Sequence, residues 1–387
     1  MPTIARRQFL LASVLPAFSG PIATLATEPS DQAPPGRAVH LHSDGLSLSP
    51  LEYARLLVRL AEHPGIEADE YSRHGVVAQL EARMAALLGK EMAVYLPTGT
   101  LANHLAVRLL TRNGRRVLVQ QESHLYNDEG DCAQQLSGLT LVPLAAEKAT
   151  FSLAEVEDEV RRAEGGRVAA GVGAISVESP VRRVMGEVFD FGEIQKIAAF
   201  ARLRQIGLHL DGARLFLASA YTGIAPATYS APFDTVYVSL YKYFNAAAGA
   251  VLAGPRQLIE NLYHQRRMFG GGLAQVWPEA AVALYYLDGF GDRFARAVAA
   301  AEALFRALSE HPRCRLERRP MGTNVARLHV SGEGAGALPE RLAARGIMIL
   351  PGRLDPARGA VFSLFTNETL LRRPVAEIID QFMQVLA

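Results

Sequence analysis

The chain has 387 residues, 49% hydrophobic and 20% charged, with 40 basic against 39 acidic side chains. This balance excludes a wholly disordered or fibrous chain, and it gives no footing for an electrostatic nucleic-acid binder. Two cysteines, Cys132 and Cys314, are too few for a disulfide scaffold, and with scattered histidines no metal site is expected.

The length predicts two or three structural units. Residues 1–26 read as a targeting segment. Ala5-Arg6-Arg7-Gln8-Phe9-Leu10 is a twin-arginine pattern, followed by the apolar stretch Phe9–Phe18 and by Ser19, Gly20 and Pro21. A membrane anchor is the competing reading, but the apolar run is shorter than the roughly 20 residues that span a bilayer. Cleavage after Ala26 would leave residues 27–37, a Pro-rich polar linker. The expected destination is the periplasm or the medium, through the twin-arginine export machinery, with no stable membrane span.

From there strands and helices alternate. Short apolar runs predict strands at Met92–Leu96, Val117–Gln121, Leu139–Leu144, Ala174–Glu178, Gly207–Leu210, Thr235–Leu240 and Ala250–Ala253. Amphipathic patterns predict helices over Val76–Leu88, Ser152–Ala163 with a Ser-x-x-Glu capping box, and Phe191–Leu203. A helical stretch, Pro278–Leu308, comes next. The tail adds short strands at Thr323–Val330, Gly346–Leu350 and Ala360–Phe365. The fold class is therefore α/β: a seven-stranded, mainly parallel sheet with helices on both faces, plus a smaller C-terminal α+β domain. The expected division is a large domain with an N-terminal arm over 38–290 and a small domain over 291–387.

Ligands in such sheets sit at the carboxyl ends of the strands. After the first strand come Pro97-Thr98-Gly99-Thr100, and then a helical run. Two hydroxyls and a glycine at a helix N-terminus suit a phosphate, or serve as ordinary helix capping. After Leu210 comes Asp211, whose burial demands a cation: a protonated pyridine nitrogen, Arg214, or else a helix N-terminus. There are four lysines. Lys90, Lys148 and Lys196 lie in a turn, a polar loop and a polar helix face. Lys242 instead follows an apolar strand, where desolvation frees a neutral amine as a nucleophile, unless it merely snorkels. Phosphate cup, carboxylate and desolvated lysine together match what pyridoxal 5'-phosphate (PLP) requires. Lys242 would hold the aldehyde, Asp211 would keep the ring nitrogen protonated, and Thr98, Gly99 and Thr100 would hold the phosphate.

At these residues the chain resembles the threonine aldolase and β-eliminating lyase family of fold-type I PLP enzymes, from about residue 40 to 370. Leu41-His42-Ser43-Asp44 resembles the family's opening segment, which implies that Ser43 binds the substrate carboxylate. LPTGTLANHLA (96–106) resembles its phosphate-binding turn and helix. Glu122-Ser123-His124 followed by Glu129 resembles a segment whose histidine stacks on the cofactor, so that His124 is a stacking residue and a candidate base for a β-hydroxyl proton. LHLDGARLF (208–216) is the most specific match, and Lys242 stands at the Schiff-base position. Arg266-Arg267-Met268-Phe269-Gly270-Gly271-Gly272 resembles a basic, Gly-rich segment that reaches the partner subunit's cofactor, which makes Arg267 a cofactor contact and implies a homodimer or homotetramer with shared active sites.

Three positions depart from the family pattern. Val181, in Glu178-Ser179-Pro180-Val181-Arg182, replaces a second active-site histidine. Ser363 replaces an arginine that grips the substrate carboxylate, and Ala274 replaces an arginine after the triple glycine. Arg214, Arg182 or Arg358 are the candidate replacements for the carboxylate clamp. The leading expectation is a PLP-dependent carbon–carbon lyase that cleaves a β-hydroxy-α-amino acid. β-Elimination or racemisation on the same fold, and a non-catalytic ligand-binding protein, are the alternatives; no G-x-G-x-x-G supports an NAD enzyme. The altered substrate side leads us to expect weak cleavage of free threonine and better turnover of a bulkier substrate, with Val181 and Phe365 facing its side chain.

Export is expected to depend on Arg6 and Arg7. Replacing both by Lys should hold the protein in the cytoplasm on cell fractionation, whereas an unchanged periplasmic yield would rule out the twin-arginine route.

Overall fold

The structure, a computed structural model, describes residues 36–111, 114–168, 170–355 and 359–387. The expected signal segment, most of the linker and Arg358 lie outside the described residues.

A two-residue strand, β1 (Val39–His40), opens the described chain, and a helix follows over Pro50–Ala61. This helix starts at a capping box. The Ser49 hydroxyl accepts from the Glu52 amide at 3.3 Å, and the Glu52 carboxylate accepts from the Ser49 amide at 2.7 Å. Seven strands then build one sheet: β2 (Met92–Leu96), β3 (Arg116–Gln120), β4 (Thr140–Leu144), β5 (Val172–Glu178), β6 (Gly207–Asp211), β7 (Thr235–Ser239) and β8 (Ala250–Gly254). They lie in the order β2-β8-β7-β6-β5-β3-β4. The run from β4 to β7 is parallel, while β8 is antiparallel to both β7 and β2. Every residue of β5, β7 and β8 is buried, as befits strands covered on both faces. The expected strands are all present, with ends within two residues of the sequence pattern.

Two expectations change. The stretch Pro278–Leu308 is two helices, Trp277–Leu287 and Phe290–Glu310. Asp288 leaves helical geometry with ψ 127°, and Gly289 follows at φ +61°, a left-handed conformation that glycine adopts without strain. In the tail, a four-stranded antiparallel sheet contains β9 (Cys314–Glu317), β10 (Val325–Val330), β12 (Arg353–Asp355) and β13 (Gly359–Phe365) in the order β12-β13-β10-β9. The expected strand Gly346–Leu350 shrinks to β11 (Ile347–Met348), which pairs in parallel with β1. β9 is short and half-exposed, and in β12 Arg353 and Leu354 are exposed, so neither strand carries an apolar run that marks it in the sequence.

Two large cores follow from this layout. The first lies against one face of the seven-stranded sheet and includes Phe290 and Phe294, while smaller clusters around Leu105 and Val119 cover the other face; the second lies under the small sheet and includes Leu304, Leu308, Val39 and Leu41. The helix Phe290–Glu310 thus contributes to both, and the N-terminal arm is packed with the C-terminal sheet.

Arg266 is the largest fully buried side chain, 1% exposed. Its guanidinium donates to the carbonyls of Tyr95 at 2.7 Å and Tyr71 at 3.0 Å. It therefore fixes a loop in which Tyr71 and Ser72 hold left-handed backbone, at φ 51° and 58°. Arg266→Leu would strand the buried Tyr95 carbonyl and release the Tyr71–Ser72 loop. The expected loss is on the order of 3 kcal/mol in denaturant unfolding, and a wild-type midpoint in that variant would contradict this role.

Candidate functional site

A cavity of about 300 Å³ opens at the carboxyl edge of the sheet, and Thr98, Gly99, Thr100, His124, Asp211 and Lys242 all line it. The structure thus brings together the residues that the sequence nominates for cofactor chemistry, Arg267 excepted.

Each side chain is placed by a strand end. β2 ends at Leu96, and the helix Gly99–Leu110 begins three residues later, with Thr98 as its N-cap. The Thr98 hydroxyl accepts from the Leu101 amide at 3.1 Å. Capping occupies a lone pair and leaves the hydroxyl proton free to donate, so the cap does not compete with anion binding. A Cβ at position 99 would run into the Tyr237 hydroxyl, which is why glycine stands there.

Asp211 ends β6 and is 4% exposed. Its carboxylate accepts from Asn103 Nδ2 at 2.7 Å and from the Ala213 amide at 3.1 Å. Arg214 is not its partner, because the Arg214 Nε donates to Asp44 at 2.8 Å. Among the described residues, then, Asp211 is held by neutral donors and forms no ion pair.

Lys242 follows β7 after Leu240 and Tyr241. Its Nζ lies 4.6 Å from the centre of the Tyr241 ring. Burial, and then the nearby Arg214 guanidinium, hold its pKa below the ordinary lysine value, which favours the neutral, nucleophilic amine.

Beside Asp211 lies a second carboxylate group. His124 Nδ1 and Glu129 Oε1 are 2.9 Å apart, and Asn103 Nδ2 also donates to Glu129 at 2.8 Å. The bond to Glu129 raises the His124 pKa above its ordinary 6.5. Glu178, at the end of β5, accepts from the His124 amide at 2.6 Å and the Arg182 amide at 3.0 Å. Burial, and then the adjacent Asp211, push its carboxyl up to about 7.

A wider chamber of about 800 Å³ adjoins the first and shares His124, Arg214, Tyr241 and Lys242 with it. Ser43, Tyr53, Leu57, Arg182 and Phe365 line its outer part. The Ser43 hydroxyl is 2.9 Å from the Ser47 hydroxyl. Asp44 ties this wall together, since it also accepts from Asn324 Nδ2 at 2.9 Å. A Cβ on Gly45 would strike the Lys242 carbonyl, so the arm lies directly against the lysine turn.

On the substrate side the structure corrects the sequence reading. Val181 lines neither cavity. It is fully buried and packs with Ala149 and Val184, because the turn after β5 directs it into the protein and its neighbour Arg182 toward the chamber. Ser363 also lines neither cavity, although Phe365, two residues along the same face of β13, lines the wider one. Arg267 is apart from both cavities in its own chain; it is exposed, with its guanidinium 5.1 Å from the centre of the Tyr71 ring. The Ala274 carbonyl accepts from the Tyr71 amide at 2.8 Å. Asn103, His209 and Tyr237 were not singled out by sequence reasoning. The available signal was a polar residue inside an apolar element: Asn103 in Leu101–Leu110, and His209 between Leu208 and Leu210 in a buried strand. No group of three or more potential metal ligands occurs among the described residues.

Comparison with known proteins places this geometry in context. A family model described as beta-eliminating lyase matches residues 64–331. The low-specificity L-threonine aldolase of Candida albicans is 30% identical over 56% of this chain, and this chain spans 58% of that protein's length. That of Escherichia coli strain K12 is 29% identical over 82% of this chain and 92% of its own length. Among solved structures, a putative L-allo-threonine aldolase from Listeria monocytogenes superposes with a TM-score of 0.75 at 24% identity, over 90% of this chain and 95% of that one. Fold-type I architecture is thereby established for this chain.

The His124–Glu129 pair yields a prediction. A histidine pKa raised in the folded state stabilises the fold fully below the unfolded value and loses that contribution as pH rises through the folded value. Glu129→Gln should lower the His124 pKa in an NMR titration of the ring and weaken this pH dependence. An unchanged or higher pKa would contradict the pairing.

Proposed function

The chain belongs to the beta-eliminating lyase family, and from that premise we propose that it is a PLP-dependent lyase whose reaction is retro-aldol cleavage of a β-hydroxy-α-amino acid to an amino acid and an aldehyde. The observation that carries this reading is the meeting of Asp211 and Lys242 in one small cavity. Asp211 is a buried carboxylate without an ion-pair partner among the described residues, and Lys242 is a desolvated lysine in the same cavity; Lys90 is desolvated too, but its amine lies elsewhere and donates to the Ser230 and Phe233 carbonyls.

The residues present fit the cofactor. Lys242 supplies the amine for its aldehyde, Asp211 the anion for its ring nitrogen, and Thr98, Gly99 and Thr100 the donors for its phosphate at the start of a 12-residue helix. When bound, PLP draws electrons from the bond broken at the substrate's Cα into its protonated ring. The chain's own residues do the rest. Asp211, fixed by Asn103 and the Ala213 amide, keeps its charge directed into the cavity. His124 stands at the junction of the two cavities, where its ring faces both the cofactor space and the substrate. There the bond to Glu129 raises its basicity, which suits it to take a proton from a β-hydroxyl.

The substrate enters from the wider chamber. Arg214 borders both spaces, so its terminal nitrogens are placed for the α-carboxylate while Asp44 holds its Nε. Ser43 adds a hydroxyl from the arm. The side chain would then extend toward Tyr53, Leu57 and Phe365, a wall that suits a bulky group. The names of the relatives support the aldol reaction. β-Elimination or racemisation is the second reading, favoured by Val181 and Ser363 standing where the family pattern has a histidine and an arginine.

Two further parts of the reading rest on the sequence. Residues 1–26 would direct export through the twin-arginine route. A second copy of the chain would complete the site, with Arg267 reaching the partner's cofactor; its flanks Met268 and Leu273 are apolar yet 62% and 42% exposed, which supports an interface there.

The purified protein should absorb in the visible range, and Lys242→Ala should lose that band. Asp211→Asn should keep some cofactor and lose about 10²-fold or more in turnover. Products from L- and D-threonine, phenylserine, serine and alanine separate the reactions: aldehyde and glycine from the hydroxy substrates, pyruvate from serine, or racemised alanine. A colourless, PLP-indifferent protein would overturn the reading, as would full activity without Lys242.

A further inference from the structure

His209 occupies the middle of β6 with its side chain fully buried. Its Nδ1 is 2.9 Å from the Thr235 hydroxyl on β7, and its Nε2 is 3.0 Å from Asn103 Oδ1. Asn103 in turn directs both Nδ2 hydrogens at carboxylates, Asp211 at 2.7 Å and Glu129 at 2.8 Å. This fixes the polarity of the whole chain of bonds. The opposite amide orientation would aim the Asn103 oxygen at two anions. Asn103 Oδ1 therefore accepts, His209 Nε2 carries the proton, and His209 Nδ1 accepts from the Thr235 hydroxyl.

We propose that Thr235, His209 and Asn103 form a one-way hydrogen-bond relay that positions Asp211 for the cofactor ring and couples it to the Glu129–His124 pair. The relay rests on the PLP reading above and adds three positioning residues to it. Burial draws the His209 pKa down to about 4, so the ring stays neutral and the direction of the relay does not reverse in the neutral range. Asn103 supplies what two neighbouring carboxylates need, a shared donor that carries no charge of its own and holds them at a set separation. Without His209 to fix its oxygen, the amide can rotate, and one carboxylate then loses its donor. The bonds run across three elements, β7, β6 and the helix Gly99–Leu110, so the sheet interior helps to set the position of Asp211 through Asn103 at the cavity wall.

The test measures cofactor affinity by equilibrium dialysis, with unfolding midpoints as the control for folding. His209→Leu should weaken PLP binding about 10-fold, and His209→Gln, which restores a donor toward Asn103, should recover most of it. Thr235→Val, a milder change that leaves the ring in place, should weaken binding about threefold, while Thr235→Ser should not. The relay acts through Asp211, so His209→Leu should cost no further affinity in an Asp211→Asn background. Wild-type affinity in His209→Leu or Thr235→Val, or full additivity with Asp211→Asn, would overturn the relay and leave the PLP reading standing. A wild-type protein that binds no PLP would overturn both.

Discussion

Three carboxylates buried at one edge of the sheet are the constraint on which this site depends. Asp211, Glu129 and Glu178 are each almost fully buried around the same small cavity. Buried charge is costly unless it is paired or hydrogen-bonded. Two of the three accept bonds from neutral donors: Asp211 from Asn103 and the Ala213 amide, and Glu178 from two backbone amides. Glu129 takes a neutral bond from Asn103 and shares His124. Burial, and then the nearby Asp211, raise the carboxyl pKa of both Glu129 and Glu178. A buried carboxylate held by neutral donors suits a cationic ring, and the lowered pKa of Lys242 favours its neutral amine beside it. The electrostatics of the site thus exist in the protein before any ligand enters.

The substrate side has a different construction. It is assembled from pieces far apart in sequence: the arm around Asp44, Arg214 after β6, and Asn324 just before β10 of the small sheet. Asp44 binds both of the others. Asn367 adds bonds of 2.6 and 2.7 Å to the carbonyls of His40 and Ser43. The arm is therefore clamped between the two sheets, and Gly45 lets it approach the lysine turn. In this layout the chamber's shape depends on packing between the two sheets, whereas the cofactor space depends on the large sheet alone.

That difference explains what was legible in the sequence. Apart from the edge strand β4, the strands of the large sheet are mostly buried apolar runs, and Thr98, Asp211 and Lys242 stand out because each ends or follows such a run. Short strands β9 and β12 show no comparable run. Asn103 and His209 were legible only as polar residues in apolar elements, and their shared purpose needs two strands and a helix in register. Val181 misled for a related reason. Position in a motif says which turn a residue belongs to, but the direction of its side chain depends on the backbone of that turn, and here Arg182 faces the chamber instead. Arg267 lies apart from the site in a single chain, so its assignment to a partner's cofactor rests on the family resemblance and not on the fold of one chain.

The central claim is that Lys242, and none of the other three lysines, carries the cofactor opposite Asp211. Borohydride reduction of the purified holoprotein followed by peptide mass mapping tests it most directly, because reduction makes the lysine–cofactor bond permanent. The account predicts one modified peptide, containing Lys242. Modification at Lys90, Lys148 or Lys196 with Lys242 unmodified, or no trapped cofactor at all, would contradict it.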